Sequence, residues 1–439
     1  VNFKTSIGKG KMLSMKFSTQ SVAVVAALLI GIASPAFAQS GSRHSQVIVP
    51  KSSIERPEDL GIRAHTNLLI LQPAAALNPS SRIRPLTGPP FSGYFYETPA
   101  SIACLYKLPG YKLVKGCNPN TVTANPTGGF GAIAIVDAYD DPDAASDLAA
   151  FSTQFGLATA TFSTVYASGK KPPQDSTGGW ELEESLDIEW AHAMAPNAQI
   201  ILVEAASDSF GDLFTAESKA AALVNAAGGG EVSNSWGGGE FSGETANDSS
   251  FVESGVVFFA SAGDSAGTLY PSVSPNVVSA GGTTISRNPI TGAFQAELAW
   301  NSAGGGPSTY ESIPSYQSTI AGIVGSVRGT PDLSFDADPN TGVWILDSIP
   351  YGGSGGPGSW WIVGGTSVSS PSLAGIVNAA GLKETSSEGE LTEIYNHLGV
   401  AADFADTEKG SCYFYDGYLA VKGWDFCTGV GSVKGKVGK

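Results

Sequence analysis

From about residue 91 onward, short wholly apolar runs alternate with longer amphipathic ones, and glycine, proline or acidic residues separate them. Gly131-Ala-Ile-Ala-Ile-Val136 reads as a buried strand by its length and flanks. Asp137–Pro142 supplies a turn, and a helix is expected near Ala144–Phe155. The alternation continues with a helix over Glu181–Met194 stopped by Pro196, a strand at Gln199–Glu204 and a helix near Leu213–Ala226. A strand-to-loop segment follows at Glu231–Gly239, then another helix, and strands at Val256–Ala260 and Asn276–Ala280. This order predicts an α/β fold with a mainly parallel central sheet flanked by helices. Ligand sites in such sheets lie at the carboxyl ends of the strands. Asp137, Ser235-Trp236-Gly237 and Gly263-Asp264 each fall at such an end.

The stretch Gly364-Gly365-Thr366-Ser367-Val368-Ser369-Ser370-Pro371 leads into a small-residue apolar run, Leu373 to Ala380, at roughly helical spacing. It reads as a tight turn feeding a helix, with Pro371 expected in the first turn. Ser367 then sits where free backbone N–H groups and the helix dipole favour negative charge. Such a serine is either a helix cap or a nucleophile whose oxyanion its own N–H stabilises. The choice depends on whether a base exists elsewhere.

The helix over Glu181–Met194 offers one. Glu183 and Asp187 are four residues apart, so they project from one face. A solvated acidic face is the ordinary meaning of such a pair. Here Leu186, Ile188, Trp190, Ala191, Ala193 and Met194 leave little of the helix for water. A carboxyl pair away from water holds one proton tightly and the other loosely, which keeps one carboxylate basic in acid.

Composition narrows the setting. The 439 residues carry 24 Lys+Arg against 40 Asp+Glu, and no basic run is available to neutralise phosphates, which argues against nucleic acid as a partner. Lys4, Lys9, Lys11 and Lys16, the apolar run Val22–Ile32 and Pro35-Ala36-Phe37-Ala38 form the three parts of a secretory signal peptide, residues 1–38, cut after Ala38. The apolar run is short for a membrane span, so no membrane association is expected of the mature form. In an exported chain the four cysteines read as two local disulfides, Cys104 with Cys117 and Cys412 with Cys427.

With Ser367 and the Glu183/Asp187 pair in place, the chain resembles the sedolisins, the serine-carboxyl peptidases, which have a subtilisin-like fold and act in acid. Gly365–Pro371 matches Gly-Thr-Ser-x-x-x-Pro, and the acidic helix runs into Ala195-Pro196-Asn197-Ala198. Ser233-Asn-Ser-Trp-Gly237 is similar to the family's Ser-x-Ser-Trp-Gly, and Ala260-Ser-Ala-Gly-Asp264-Ser to its Ser-Ser-Gly-Asp-Ser. Tyr270-Pro271, Gly281-Gly282-Thr283, Trp300, Gly304-Gly305-Gly306 and Arg328–Asp332 follow in the family's order, over about 340 residues in all.

The resemblance implies a secreted monomer acting on protein or peptide substrates. It makes Ser367 the nucleophile, Glu183 the general base, Asp187 its orienting acid and Asp264 a protonated donor to the oxyanion. It places Asp137 and Trp236 in the supporting hydrogen-bond network. It also implies one structural calcium ion, held by the carboxylates of Asp406 and Asp425 and the backbone carbonyls of Thr407, Val421 and Gly423. The peptidase domain is expected over 91–433, followed by a basic tail, 434–439. Between Ala38 and that domain lie only about 52 residues, 39–90, where the family carries a long prodomain; a short N-terminal segment is expected instead.

Two other readings compete. A neutral subtilisin needs a catalytic histidine, and none of His44, His65, His192 and His397 has the expected His-Gly-Thr-His context. A catalytically dead binding protein on the same fold is disfavoured by the presence together of Ser367, Glu183, Asp187 and Asp264.

Overall fold

The computed structural model describes residues 45–74, 83–91, 93–381, 384–412 and 417–435. The signal-peptide reading of residues 1–38 and the end of the basic tail lie outside the described residues.

The apolar runs assemble into a ten-stranded sheet. Its central strand, Ala132–Ala138, is buried at every position and is flanked in parallel by Gln199–Ala205 on one side and Gly230–Asn234 on the other. Thr161–Tyr166 extends the first side, and Val256–Ser261, Val278–Arg287, Leu333–Asp336 and Ser432–Val433 extend the second, all in parallel. Antiparallel pairing is confined to Phe294–Ala299 on Val278–Arg287 and to Phe404–Ala405 at the edge. A strand covered on both faces should be apolar at every position rather than alternate, and Ala132–Val136 is.

Helices Ala144–Phe155, Gly179–Met194, Phe210–Ala226 and Thr366–Ala380 cover the sheet. The segment expected as a helix before Val256 is a 3-10 helix, Glu244–Phe251. All sixteen positions of Gly179–Met194 are buried, five acidic side chains among them. That helix packs against Thr366–Ala380, and the crossing is tight at Gly375. A Cβ there would lie 2.7 Å from Met194 Cβ and 2.9 Å from the Ala191 carbonyl. Glycine at this position lets the two helices approach and sets the distance between the acids on one and Ser367 on the other.

Pro371 is not in the first turn. It occupies the sixth position of Thr366–Ala380, inside the helix. There its missing N–H leaves the Ser367 carbonyl without its i+4 donor. Ser235 Oγ, 3.2 Å away, fills the vacancy.

Residues 45–72 are built into the fold. Gln46–Ile48 and Leu69–Gln72 pair antiparallel, and Leu69–Gln72 pairs in turn with Trp360–Gly364, the strand that leads to Ser367. His65–Thr66 pairs antiparallel with Trp236–Gly239. Both expected disulfides form, Cys104–Cys117 and Cys412–Cys427. Among the described residues no helix is long and apolar enough to cross a membrane.

Candidate active site

Ser367 is the second residue of its helix and is completely buried. The turn before it depends on Gly365, whose φ of 101° is open mainly to glycine. Its backbone N–H donates to the Asn67 carbonyl at 3.0 Å, and its Oγ donates to the Ser235 carbonyl at 3.3 Å. Glu183 projects toward this hydroxyl. Neither Glu183 carboxyl oxygen has a partner at hydrogen-bonding distance, yet Ser367 lies close enough to favour its ionised form. A long nucleophile–base contact is usual before substrate tightens the site.

Burial pushes the Glu183 carboxyl well above the ordinary glutamate range, and the charges of Asp187 and Asp137 push it further. Burial likewise raises Asp187, while the Ser235 hydroxyl, 2.9 Å from its Oδ1, opposes the rise. The two acids therefore titrate as a pair that keeps at least one proton in the dry site.

Asp264 follows the strand Val256–Ser261 and approaches Ser367 from the other side. Its Oδ1 accepts from the Thr366 backbone N–H at 2.7 Å and from the Thr366 hydroxyl at 2.9 Å. Oδ2 is shielded from water and has no partner. Burial pushes this carboxyl up to about 7 against the two Thr366 hydrogen bonds, so it is protonated in acid. With Oδ1 accepting twice, the proton belongs on Oδ2. A donor there and the Ser367 N–H make two hydrogen-bond sources for an oxyanion.

The supporting residues are arranged differently from the expectation. Asp137 is buried behind the pair and makes no hydrogen bond through either oxygen, and it acts on Glu183 through its charge alone. Its carboxyl is raised by burial, then by Asp187 and Glu204. Trp236 donates its indole N–H to the Val136 carbonyl at 2.9 Å, so it fixes the end of the central strand rather than bonding to an acid. Ser235 is what links the two halves of the site, since one hydroxyl serves both Asp187 and the Ser367 carbonyl. The sequence offers Ser235 as part of the Ser-x-Ser-Trp-Gly block but gives no sign of this double contact. His192 is buried against the Ala158 carbonyl, and His397 pairs with Asp403; neither reaches Ser367.

In the C-terminal loop, Asp425 Oδ2 accepts from Val421 N–H and Asp406 Oδ2 from Gly423 N–H, both at 2.8 Å. Asp425 Oδ1 takes the N–H groups of Cys427 and Thr428. The two carboxylates thus converge on one turn, and neither has an ion-pair partner among the described residues. No cluster of three or more His, Cys, Asp or Glu side chains is placed to hold a metal among the described residues.

The mainly parallel, subtilisin-like sheet thus carries a serine at a helix start, opposed by a buried carboxyl pair and a third acid. The chain is 26% identical to sedolisin from Pseudomonas sp. (strain 101) over 362 residues, covering 73% of this chain and 60% of that protein. It is 31% identical to kumamolisin from Bacillus sp. (strain MN-32) over 337 residues, covering 68% of this chain and 58% of that one. It thus spans about three fifths of the length of these relatives. A solved structure of Pseudomonas sedolisin, a serine-carboxyl proteinase complexed with two molecules of pseudo-iodotyrostatin, has the same fold. Its TM-score is 0.62 at 24% identity, over 77% of this chain and 95% of that one. No family model matches the sequence. Sequence and fold together identify the chain as sedolisin-like.

Proposed function

We propose that this chain is a secreted, acid-acting serine-carboxyl peptidase. The observation that carries this reading is the convergence of Ser367, Glu183, Asp187 and Asp264 around a carbonyl that already accepts the Ser367 N–H. Ser367 Oγ attacks the substrate carbonyl carbon and passes its proton to Glu183, which Asp187 orients. The Ser367 N–H and protonated Asp264 hold the oxyanion. Glu183 then protonates the leaving amine, and water hydrolyses the acyl ester by the reverse path. A subtilisin-type histidine base is disfavoured because Glu183 occupies the base position.

The C-terminal loop has the donor chemistry of a calcium site. Asp406, Asp425 and the carbonyls of Thr407, Val421 and Gly423 are all hard oxygen donors, and the two carboxylates lack cationic partners. A calcium ion there would neutralise the two charges and brace the loop beside Cys412–Cys427, with no part in bond cleavage.

The test is hydrolysis of casein against pH, together with titration by a peptide aldehyde. Acid-range hydrolysis and stoichiometric capture of Ser367 as a hemiacetal are expected. A folded protein that hydrolyses nothing and binds the aldehyde no better than its Ser367→Ala variant would show the reading to be wrong.

A further inference from the structure

A second group of acids lies away from the nucleophile, around the 3-10 helix Glu244–Phe251. Glu240 directly follows the strand Trp236–Gly239 and anchors its end. Glu240 Oε1 accepts from the Ser308 hydroxyl and from the Thr309 N–H at 3.0 Å, and Oε2 accepts from the Thr268 hydroxyl. These bonds fasten the strand end to Thr268 and to a second strand, Gly306–Ser312. The anchored strand begins beside Ser235, whose carbonyl receives the Ser367 hydroxyl. Its edge accepts extended backbone, as the antiparallel pairing with His65–Thr66 demonstrates.

Two buried oxygens in this group lack a donor. Glu244 Oε2 accepts the Phe241 N–H at 2.6 Å, but no N–H or hydroxyl group donates to Glu244 Oε1 or to Glu311 Oε1. Each side chain faces another carboxyl instead: Glu244 faces Glu240, and Glu311 faces Asp248. Two carboxyls shielded from water bond to each other only while one keeps a proton, which is then the missing donor; when both ionise they repel. Glu244 and Asp248 belong to the 3-10 helix, and their partners lie at the strand end and on Gly306–Ser312. The pairs therefore hold the helix from two sides.

No neighbouring group among the described residues replaces these protons. Tyr270 donates its hydroxyl to Asp248 at 3.2 Å, and burial keeps its own proton in place. Arg328 acts on Glu311 from a distance but is committed to Asp332 through both terminal nitrogens, at 2.8 and 2.6 Å. Burial raises Glu244 to about 8 and Glu311 to about 7, and the facing carboxyls push the same way. Raised folded values mean that the attraction is complete in acid and is lost as pH rises through this range.

We propose that Glu240 with Glu244, and Asp248 with Glu311, form a proton-held clamp that positions the 3-10 helix and the strand Trp236–Gly239 beside the nucleophile. As the two shared protons leave, Glu244–Phe251 lifts from Gly306–Ser312 and the strand end loses its anchor. Building on the serine-carboxyl reading of the site, this release weakens the hold on substrate, whereas ionisation of Asp264 lowers turnover.

The test is amide hydrogen exchange of the full Ser367→Ala chain at about pH 5 and about pH 8.5, corrected for the intrinsic effect of pH on exchange. Residues 240–251 should lose about a hundredfold of their protection at the higher pH, while the central strand, 132–138, keeps its own. Adding Glu244→Gln and Glu311→Gln together should abolish the loss, since an amide donates to a facing carboxylate at every pH. Adding Asp264→Asn should leave the loss as it was. In the active chain, KM for casein should rise severalfold between about pH 5 and about pH 7.5, and the glutamine pair should suppress that rise. Equal protection of 240–251 at both pH values, or a loss that the glutamine pair does not reduce, would overturn the clamp and leave the peptidase reading standing. A chain that shows the glutamine-reversible loss yet hydrolyses no casein at any pH would uphold the clamp and overturn the peptidase reading on which its link to substrate rests.

Discussion

Thr366 commits one oxygen of Asp264 and leaves the other exposed to the reaction: its N–H and its hydroxyl both bond Oδ1, at 2.7 and 2.9 Å. The consequence is a pH dependence of defined sign. Asp264 is neutral below about 7 and donates through Oδ2; above that it is a carboxylate facing a developing oxyanion. Turnover should therefore fall as pH rises through about 7. Asp264→Asn keeps a neutral donor at every pH. Its kcat should drop by less than the roughly 10²–10³-fold that deletion of an oxyanion donor costs, and its high-pH limb should move upward. A pH–rate profile of the two enzymes decides it, since an unmoved limb would assign the fall to another group.

Ser367→Ala and Glu183→Gln should each lower kcat by roughly 10⁴ or more, because each removes a member of one proton-transfer unit. Their stabilities should part company. Ser367→Ala is nearly neutral, whereas Glu183→Gln removes a carboxyl whose ionisation burial opposes, so it should raise the urea midpoint at pH 7. Equal midpoints for wild type and Glu183→Gln at pH 7 would mean that Glu183 is not held in a dry site.

Burial raises many carboxyls beyond the catalytic ones: Asp147 to about 6, Asp141 to about 7, Glu181 to about 8 and Glu204 to about 9. Each binds a proton more tightly folded than unfolded, so its stabilising contribution is complete below about pH 4 and is lost as pH rises toward the folded value. The urea midpoint should accordingly be highest near pH 4 and decline steadily to pH 9. An enzyme most stable at pH 8 would contradict this distribution of buried acids.

Ser235→Ala removes the hydroxyl shared by Asp187 and the Ser367 carbonyl. The loss leaves a buried acceptor without a donor and should cost about 1–3 kcal/mol of stability. Turnover should fall with KM little changed, and Ser235→Thr should restore part of it. A change in KM alone would show that Ser235 serves substrate binding rather than alignment of the acids.

If calcium braces the C-terminal loop, millimolar calcium should raise Tm and a chelator should reverse the gain. Asp406→Asn and Asp425→Asn should each weaken the response. A Tm indifferent to calcium in all three proteins would remove the ion from the description.

The strands and helices around the site were legible because each is a long local pattern, as Ala132–Ala138 and Gly179–Met194 illustrate. That Ser367, Glu183, Asp187 and Asp264 would come together was legible from short blocks of distinctive chemistry, and the fold gathers them. The role of residues 64–72 was not. His65-Thr-Asn-Leu-Leu-Ile-Leu-Gln72 shows only a short apolar patch, and its meaning comes from pairing with strands about 170 and 290 residues away. Register between such distant partners leaves no local periodicity. Pro371 misled for a related reason: a proline near a helix start is ordinarily in the first turn, and here the Ser235 hydroxyl makes a deeper position tolerable.

The placement of the disulfides has one last consequence. Cys104–Cys117 and Cys412–Cys427 close local loops with separations of 13 and 15 residues, and neither staples the sheet to the helix that carries Ser367. A reducing medium would therefore loosen these two loops and leave the alignment of Ser367 with its acids to packing alone.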